Sequence, residues 1–240
     1  MTKSLILRSL QAVLFTSPYS IEHKLAFSSE FLKHTQKIFS ADPTIVTAPQ
    51  NAPPNIPRIE IKSPDQSHIA QFSNNRIIFQ FMDTTGAKLR LAQIFPHFSD
   101  ALRQVMQCTM EYLNPRVVRL GFILRFIADL GFSANRFLSE EFLKNNPFSD
   151  AHELNLGILY KIQMDQYLIN RWIRYKTLRA KNDPSIDYAM AVEIDINTLA
   201  EDMQDFTTSQ IIVFYDNAFQ HISSSIQNYP FFGEDFHPEE

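Results

Sequence analysis

The chain has 240 residues, 22 Lys+Arg against 26 Asp+Glu for a formal net charge of −4, 45% hydrophobic residues, 21 Phe, 5 Gly and one cysteine. That length holds one large domain or two small, tightly joined ones. The charge excludes the overall basic excess of a nucleic-acid module, Cys108 alone excludes an intramolecular disulfide, and the scarcity of Gly argues against Gly-rich phosphate loops.

Residues 4–16, dense in Leu, Ile and Val, predict a strand buried on both faces, ended by Ser17-Pro18. A helix follows from Ser20 to Phe39, with Leu25, Phe27, Phe31, Leu32 and Ile38 near helical spacing. Residues 40–57 carry Pro43, Pro49, Pro53, Pro54 and Pro57 and predict an extended surface connection. Short strands come next at 58–63, 67–73 and 75–82, the last two joined by a tight turn at Asn74-Asn75. A second helix spans 96–113, with Leu102, Val105, Met106, Met110 and Leu113 on one stripe.

The pattern then starts again. Val117 to Phe126 reads as a strand and Ser133 to Lys144 as a helix, stopped by Asn145-Asn146-Pro147. Strands follow at 154–164, 167–178 and 187–196. A last helix runs from Thr208 to Gln227, with Ile211, Tyr215, Phe219, Ile222 and Ile226 on one face and Thr207 or Thr208 as its cap. The acidic tail, 229–240, is expected to be mobile.

Ser28-Ser29-Glu30-Phe31-Leu32-Lys33 returns 111 residues later as Ser139-Glu140-Glu141-Phe142-Leu143-Lys144, and the same spacing takes Arg8 to Arg119, Phe15 to Phe126 and Phe95 to Phe206. With the repeated element order, this predicts an internal duplication. The expected fold is α+β: two pseudo-repeated β-α-β-β-β-α halves, 1–115 and 116–228, form a largely antiparallel curved sheet backed by helices.

The segment Arg119-Leu120-Gly121-Phe122-Ile123-Leu124-Arg125-Phe126-Ile127 resembles a sporadically distributed family of uncharacterised prokaryotic proteins. That family has a mid-chain strand of the type Arg-x-Gly-hydrophobic-Arg-Tyr-Ile-Asn. Here Phe126 stands at the Tyr step and Ala128 at the Asn step. The strand Asn75 to Phe81 and the closing Phe219-Gln220-His221-Ile222-Ser223 resemble other segments of the family. The resemblance implies no established activity and no catalytic residues.

No His pair has metal-ligand spacing, and no Gly-x-Ser-x-Gly, Walker or dinucleotide motif is present, so no catalytic residue, metal or cofactor is expected. The cluster Asp150-Ala151-His152-Glu153 reads as a solvated loop, with metal binding or acid–base work as the alternative. Cys108 lacks a neighbouring base and reads as a small inert side chain. Arg119 and Arg125 stand six apart on one strand and so share a face, where they pair with carboxylates or hold a partner's acidic groups. The run Arg171-Trp172-Ile173-Arg174-Tyr175-Lys176-Thr177-Leu178-Arg179-Ala180-Lys181 holds five cations and the one Trp.

These features predict a non-enzymatic, cytoplasmic protein-binding module. Its partner would dock on the sheet face or on the 171–181 strip, through Arg119, Arg125, Arg171, Trp172, Arg174 and Lys176. A Phe-lined cavity for an apolar small molecule is the alternative. Nucleic-acid binding by the duplicated sheet comes third. No apolar run reaches the ~20 residues that span a bilayer, so no membrane role is expected, and a homo-oligomer is compatible with the reading.

Overall fold

The computed structural model of the chain describes residues 4–49, 51–87, 89–143, 151–179 and 188–226. In chain order it contains β1 (Ser4–Thr16), α1 (Lys24–Thr35), β2 (Thr44–Ile45), β3 (Ile59–Lys62), β4 (His68–Phe72), β5 (Arg76–Met82) and α2 (Leu91–Tyr112). There follow β6 (Val117–Asp129), α3 (Ala134–Phe142), β7 (Asn155–Met164), β8 (Tyr167–Leu178), β9 (Ala189–Thr198) and α4 (Thr208–Ile226). The expected tail, the stop at Asn145-Asn146-Pro147 and the side chain of Ile226 lie outside the described residues.

The protein is α+β, with the described strands in one nine-stranded sheet of order β2-β3-β4-β5-β1-β6-β9-β8-β7. The described strand pairs are antiparallel. β1 and β6 pair in the middle; β5, β4 and β3 extend from β1, and β9, β8 and β7 extend from β6.

Strand alternation puts one apolar set of side chains against the helices. Leu10, Ala12 and Leu14 of β1, Ile77 and Phe79 of β5, Phe122 and Leu124 of β6 and Ile194 of β9 are all buried there. The phenylalanine surplus goes into this core. Rings touch in sequence from Phe27 through Phe72, Phe31, Phe39, Phe79, Phe98, Phe122 and Tyr215 to Phe214. α2 and α4 meet where Phe95 and Phe219 stack with centroids 3.7 Å apart. Asp216 accepts from Ser99 and Arg103 beside them.

Three expectations need correction. α1 is shorter than expected, and Leu25 is 73% exposed, because the buried stripe is Phe27, Ser28 and Phe31. α2 begins at Leu91 rather than 96 and takes Pro96 within its second turn, a position the sequence reading treated as a start. The spacing of 111 residues also breaks on the central strands. It carries the helix-facing Leu10, Ala12 and Leu14 onto Gly121, Ile123 and Arg125, which face the other way, and a one-residue slip exchanges the faces of a strand. Between α1 and α3 it pairs buried Phe27 with buried Leu138 and Ser28 with Ser139, but between α2 and α4 it carries buried Leu102 onto Val213, which is 46% exposed.

Burial lowers the pKa of His68, which stacks on Phe79, and of His221, where Arg171 adds to the effect. The hydroxyl of Ser63 and the backbone and hydroxyl of Ser67 hold Asp65 at about 2. All three shifts have one sign. Between the folded and unfolded pKa values the unfolded chain binds more protons, so stability falls as pH falls. Thermal melts should show a lower melting temperature at about pH 5 than at about pH 7 from the imidazoles, whose ordinary pKa is about 6.5, and a further drop below about pH 4 from Asp65. His68→Gln should flatten the first step; a profile level from neutral to mildly acidic pH would contradict this account.

Candidate functional site

Among the described residues the helices pack against one side of the sheet, and no helix covers the other. On β6, Leu120, Phe122, Leu124, Phe126 and Ala128 are buried against the helices, so Arg119, Gly121, Ile123, Arg125 and Ile127 stand on the open side. On β8, Ile169, Ile173, Tyr175 and Thr177 are buried, which puts Asn170, Trp172, Arg174 and Lys176 on the open side. β9 contributes Ala191, Glu193, Asp195 and Asn197 to the same surface.

These residues form one hydrogen-bonded chain across four strands. Gln11 Oε1 accepts from Arg125 Nη1 at 3.2 Å. Arg125 Nε donates to Glu193 Oε2 at 2.8 Å, and Arg174 Nη1 donates to Glu193 Oε1 at 2.7 Å and to Asp195 Oδ2 at 3.3 Å. Asn197 Nδ2 donates to Asp195 Oδ1 at 3.0 Å, and Arg119 closes the chain through Nη2 to Asn197 Oδ1 at 2.8 Å. Arg119 and Arg174 also lie over the rings of Phe15 and Trp172, at 4.7 and 5.0 Å from the centroids.

At one end of this chain the open face sinks into a depression of about 410 Å³. Gly157 of β7 and Ala191 of β9 give it a low floor, and Arg125, Arg174, Lys176, Glu193 and Asn155 stand around it. A Cβ placed on Gly157 would meet a ring carbon of Trp172 at 3.7 Å and nothing nearer, so the absent side chain is what leaves this space. Lys176 Nζ stays 3.4 Å from Glu153 at the rim.

The structure thus brings together Arg119, Arg125, Trp172, Arg174 and Lys176, and separates Arg171 from them. Arg171 is on the helix side, over Tyr160 at 4.6 Å and 3.0 Å from His221 Nε2. The 171–181 strip is therefore not one basic face: alternation splits it, and Ala180 and Lys181 lie outside the described residues. Glu193, Asp195, Gln11 and Gly157 escaped sequence reasoning. The visible signal was the alternation Ala191-Glu193-Asp195-Asn197 within Val192-Ile194-Ile196, which sets two acids on one strand face.

Other candidates fall away. Burial, helped by Glu111 and Glu30, pushes the Cys108 thiol up to about 12, far from a reactive thiolate. Glu153 is held by Lys176 and Asn155, and Asp150 lies outside the described residues. Among the described residues no group of three or more His, Cys, Asp or Glu could hold a metal ion, and no helix is long and apolar enough to cross a membrane.

No family model and no curated protein matches the chain. Among solved structures, "Structure of Rolling Circle Replication Initiator Protein from Geobacillus stearothermophilus" is similar over 95% of this chain and 85% of that one, at 12% identity and a TM-score of 0.31. The expectation of a non-enzymatic protein-interaction module is corrected by this finding: the similarity runs to a replication initiator, at a level that carries no activity over to this chain. The side chains supply the physical reason. The arginines expected to take a protein partner's acidic groups spend most of their donors within the sheet, on Glu193, Asp195 and Asn197, and what Arg125 and Arg174 have left lines a depression rather than a flat docking face. The expected Phe-lined cavity is filled by interlocked rings, with Phe31, Phe39, Phe72, Phe79, Phe98, Phe122 and Phe214 all at 0% exposure.

Proposed function

We propose that the chain binds a small organic anion, one acid group on an apolar body, in the depression over Gly157 and Ala191. One observation carries this reading: Arg125 and Arg174 share a single carboxylate, Glu193, at the wall of an open hollow that Lys176 also lines. Arg125 keeps Nη2, and Arg174 keeps Nε and Nη2, with no hydrogen-bond partner among the described residues. Guanidinium forks of this kind pair with carboxylate or phosphate oxygens at two points. The hollow lies within the range of ligand sites, about 300–1,000 Å³. Gly157 lets a ligand body lie against the strand backbone, with Ala191 as its apolar neighbour.

Thermal melting with a panel of aromatic and aliphatic carboxylates, and with their neutral amides, tests this. At about 100 times its Kd a true ligand stabilises by about 2.7 kcal/mol, a rise of roughly 5–10 °C for a chain of this size. The acids should raise the melting temperature and the amides should not. Gly157→Leu, which fills the hollow, should abolish the rise. Equal shifts from acids and amides, or none from any acid, would refute the proposal.

The two halves, 1–115 and 116–228, are proposed to be copies of one ancestral unit. Their support is the strand order, which runs outward from β1 and from β6 in matching sequence, together with the shared Ser28 and Ser139 positions. In this reading short insertions have since shifted the spacing differently from element to element.

A further inference from the structure

The two edges of the sheet are built differently. One ends in β2, only two residues long, and Pro49, Pro53, Pro54 and Pro57 follow it. Short edge strands and prolines prevent further strand pairing. The other edge is β7, ten residues in unbroken register with β8 from Asn155↔Lys176 to Met164↔Tyr167. Its outer side pairs with no described strand, and it carries no proline and a single charged residue, Lys161.

The direction of its backbone groups follows from one hydrogen bond. Thr177 N donates to Leu154 O at 3.2 Å, so the even-numbered residues of this register turn N–H and C=O toward β8. Asn155, Gly157, Leu159, Lys161 and Gln163 turn theirs outward. On the helix side of the same strand, Leu156, Ile158, Tyr160 and Ile162 are only partly buried, although they pack on the core. Leu159, on the open side, is 42% exposed.

We propose that β7 pairs antiparallel with β7 of a second copy of this chain, about a twofold axis at Leu159, so that two sheets continue as one. In this register Leu159 meets its own copy. Asn155 faces Gln163 of the second copy, amide to amide, and Gly157 faces Lys161 of the second copy. On the helix side Leu156 faces Ile162 and Ile158 faces Tyr160, which extends the core across the seam. No like charges oppose each other. An axis at Lys161 would set two ammonium groups face to face, which is unfavourable for directly opposed strand residues. This self-complementarity identifies the occupant as the chain itself rather than a foreign strand.

The seam also bears on the anion site, a point that rests on the function proposed above, whereas the pairing itself does not. Gly157, Arg174, Glu193 and Arg125 form one cross-strand row. Lys161 of the second copy would extend that row by one more cation. In the single chain this lysine makes only an exposed 3.8 Å contact with Glu201, of a kind that contributes about 0–1 kcal/mol.

Light scattering over a concentration series of the full chain tests the proposal. The expected mass rises from 27.8 kDa toward twice that value. Lys161→Pro removes an outward N–H and spares the inner ladder, since proline is tolerated where the N–H faces away from the sheet. It should hold the mass at one chain while the melting temperature stays close to the parent's. Leu159→Lys, which opposes like charges at the axis, should do the same. Ile158→Pro removes a bond to β8 and should instead lower the melting temperature. A parent chain that remains a monomer at every concentration overturns the proposal, as does a dimer that survives both Lys161→Pro and Leu159→Lys. Failure of acid binding would leave this mass measurement unchanged, so the two proposals fail separately.

Discussion

Replacing Phe122 with alanine is expected to lower stability by about 3–5 kcal/mol, the cost of removing a fully buried aromatic ring. For a chain of this size that is a fall in melting temperature of roughly 6–20 °C. Phe122 has 0% exposure and touches the rings of Phe95, Phe98 and Tyr215. Phe95 and Phe98 come from α2 and Tyr215 from α4, so the ring joins these two helices over the central strand. Three large neighbours fixed on two helices cannot all collapse into the space left behind, which puts the cost toward the upper end. Phe122→Leu should recover a good part of the loss. Chemical denaturation checks both variants; a loss for Phe122→Ala below about 1 kcal/mol, the level of an ordinary surface change, would mean that the central ring contacts are not formed.

Removing the shared carboxylate should have the second largest effect, in two directions at once. Glu193→Ala leaves Arg125 and Arg174 without their common acceptor; Arg174 keeps Asp195 at 3.3 Å and Arg125 keeps the neutral Gln11 at 3.2 Å. Breaking a fully buried ion pair costs about 3–5 kcal/mol. The Glu193 side chain retains 27% exposure, so water can solvate the abandoned guanidinium groups and the expected loss is about 2 kcal/mol. The same change removes the internal competitor for these arginines. Acid binding in the depression should tighten by about tenfold, or about 1.4 kcal/mol. Denaturation together with calorimetric titration reads both quantities. A variant that loses stability and acid affinity together would show that Glu193 shapes the hollow rather than competing for it.

The elements of this fold were legible because its patterns are local. Period-two alternation located β3, β4 and β5, the strands expected at 154–164, 167–178 and 187–196 correspond to β7, β8 and β9, and the spacing of Leu102, Val105 and Met106 located α2. Asn74-Asn75 marked the turn between β4 and β5, and Ser73 N does donate to Arg76 O across it, at 2.9 Å. Arg119 and Arg125 were placed on one face by their separation, which the strand geometry bears out. The acids that hold them were not legible, because Arg125 and Glu193 are 68 residues apart and meet only through the β6–β9 register. The separation of Arg171 from Arg174 was readable in principle, since an odd separation on a strand means opposite faces, but the density of charge in the run drew attention away from its parity. Gly157 gave no warning: a glycine in a strand marks a bulge or a close approach as readily as a hollow.

β1 is made before both of its neighbours in the sheet, and that order has a consequence for biosynthesis. β1 lies between β5 and β6, and Val13 O accepts a hydrogen bond from the hydroxyl of Tyr215 in the last helix, at 3.1 Å. At translation rates of about 5–20 residues per second, β6 leaves the ribosome roughly 5–20 s after β1. For that interval one flank of a long, apolar strand has no mate, and the groove that Tyr215 will seal stays open until α4 arrives. The exposure of this strand to wrong pairing therefore lasts as long as the synthesis of the segment between β1 and β6, and slower synthesis lengthens it.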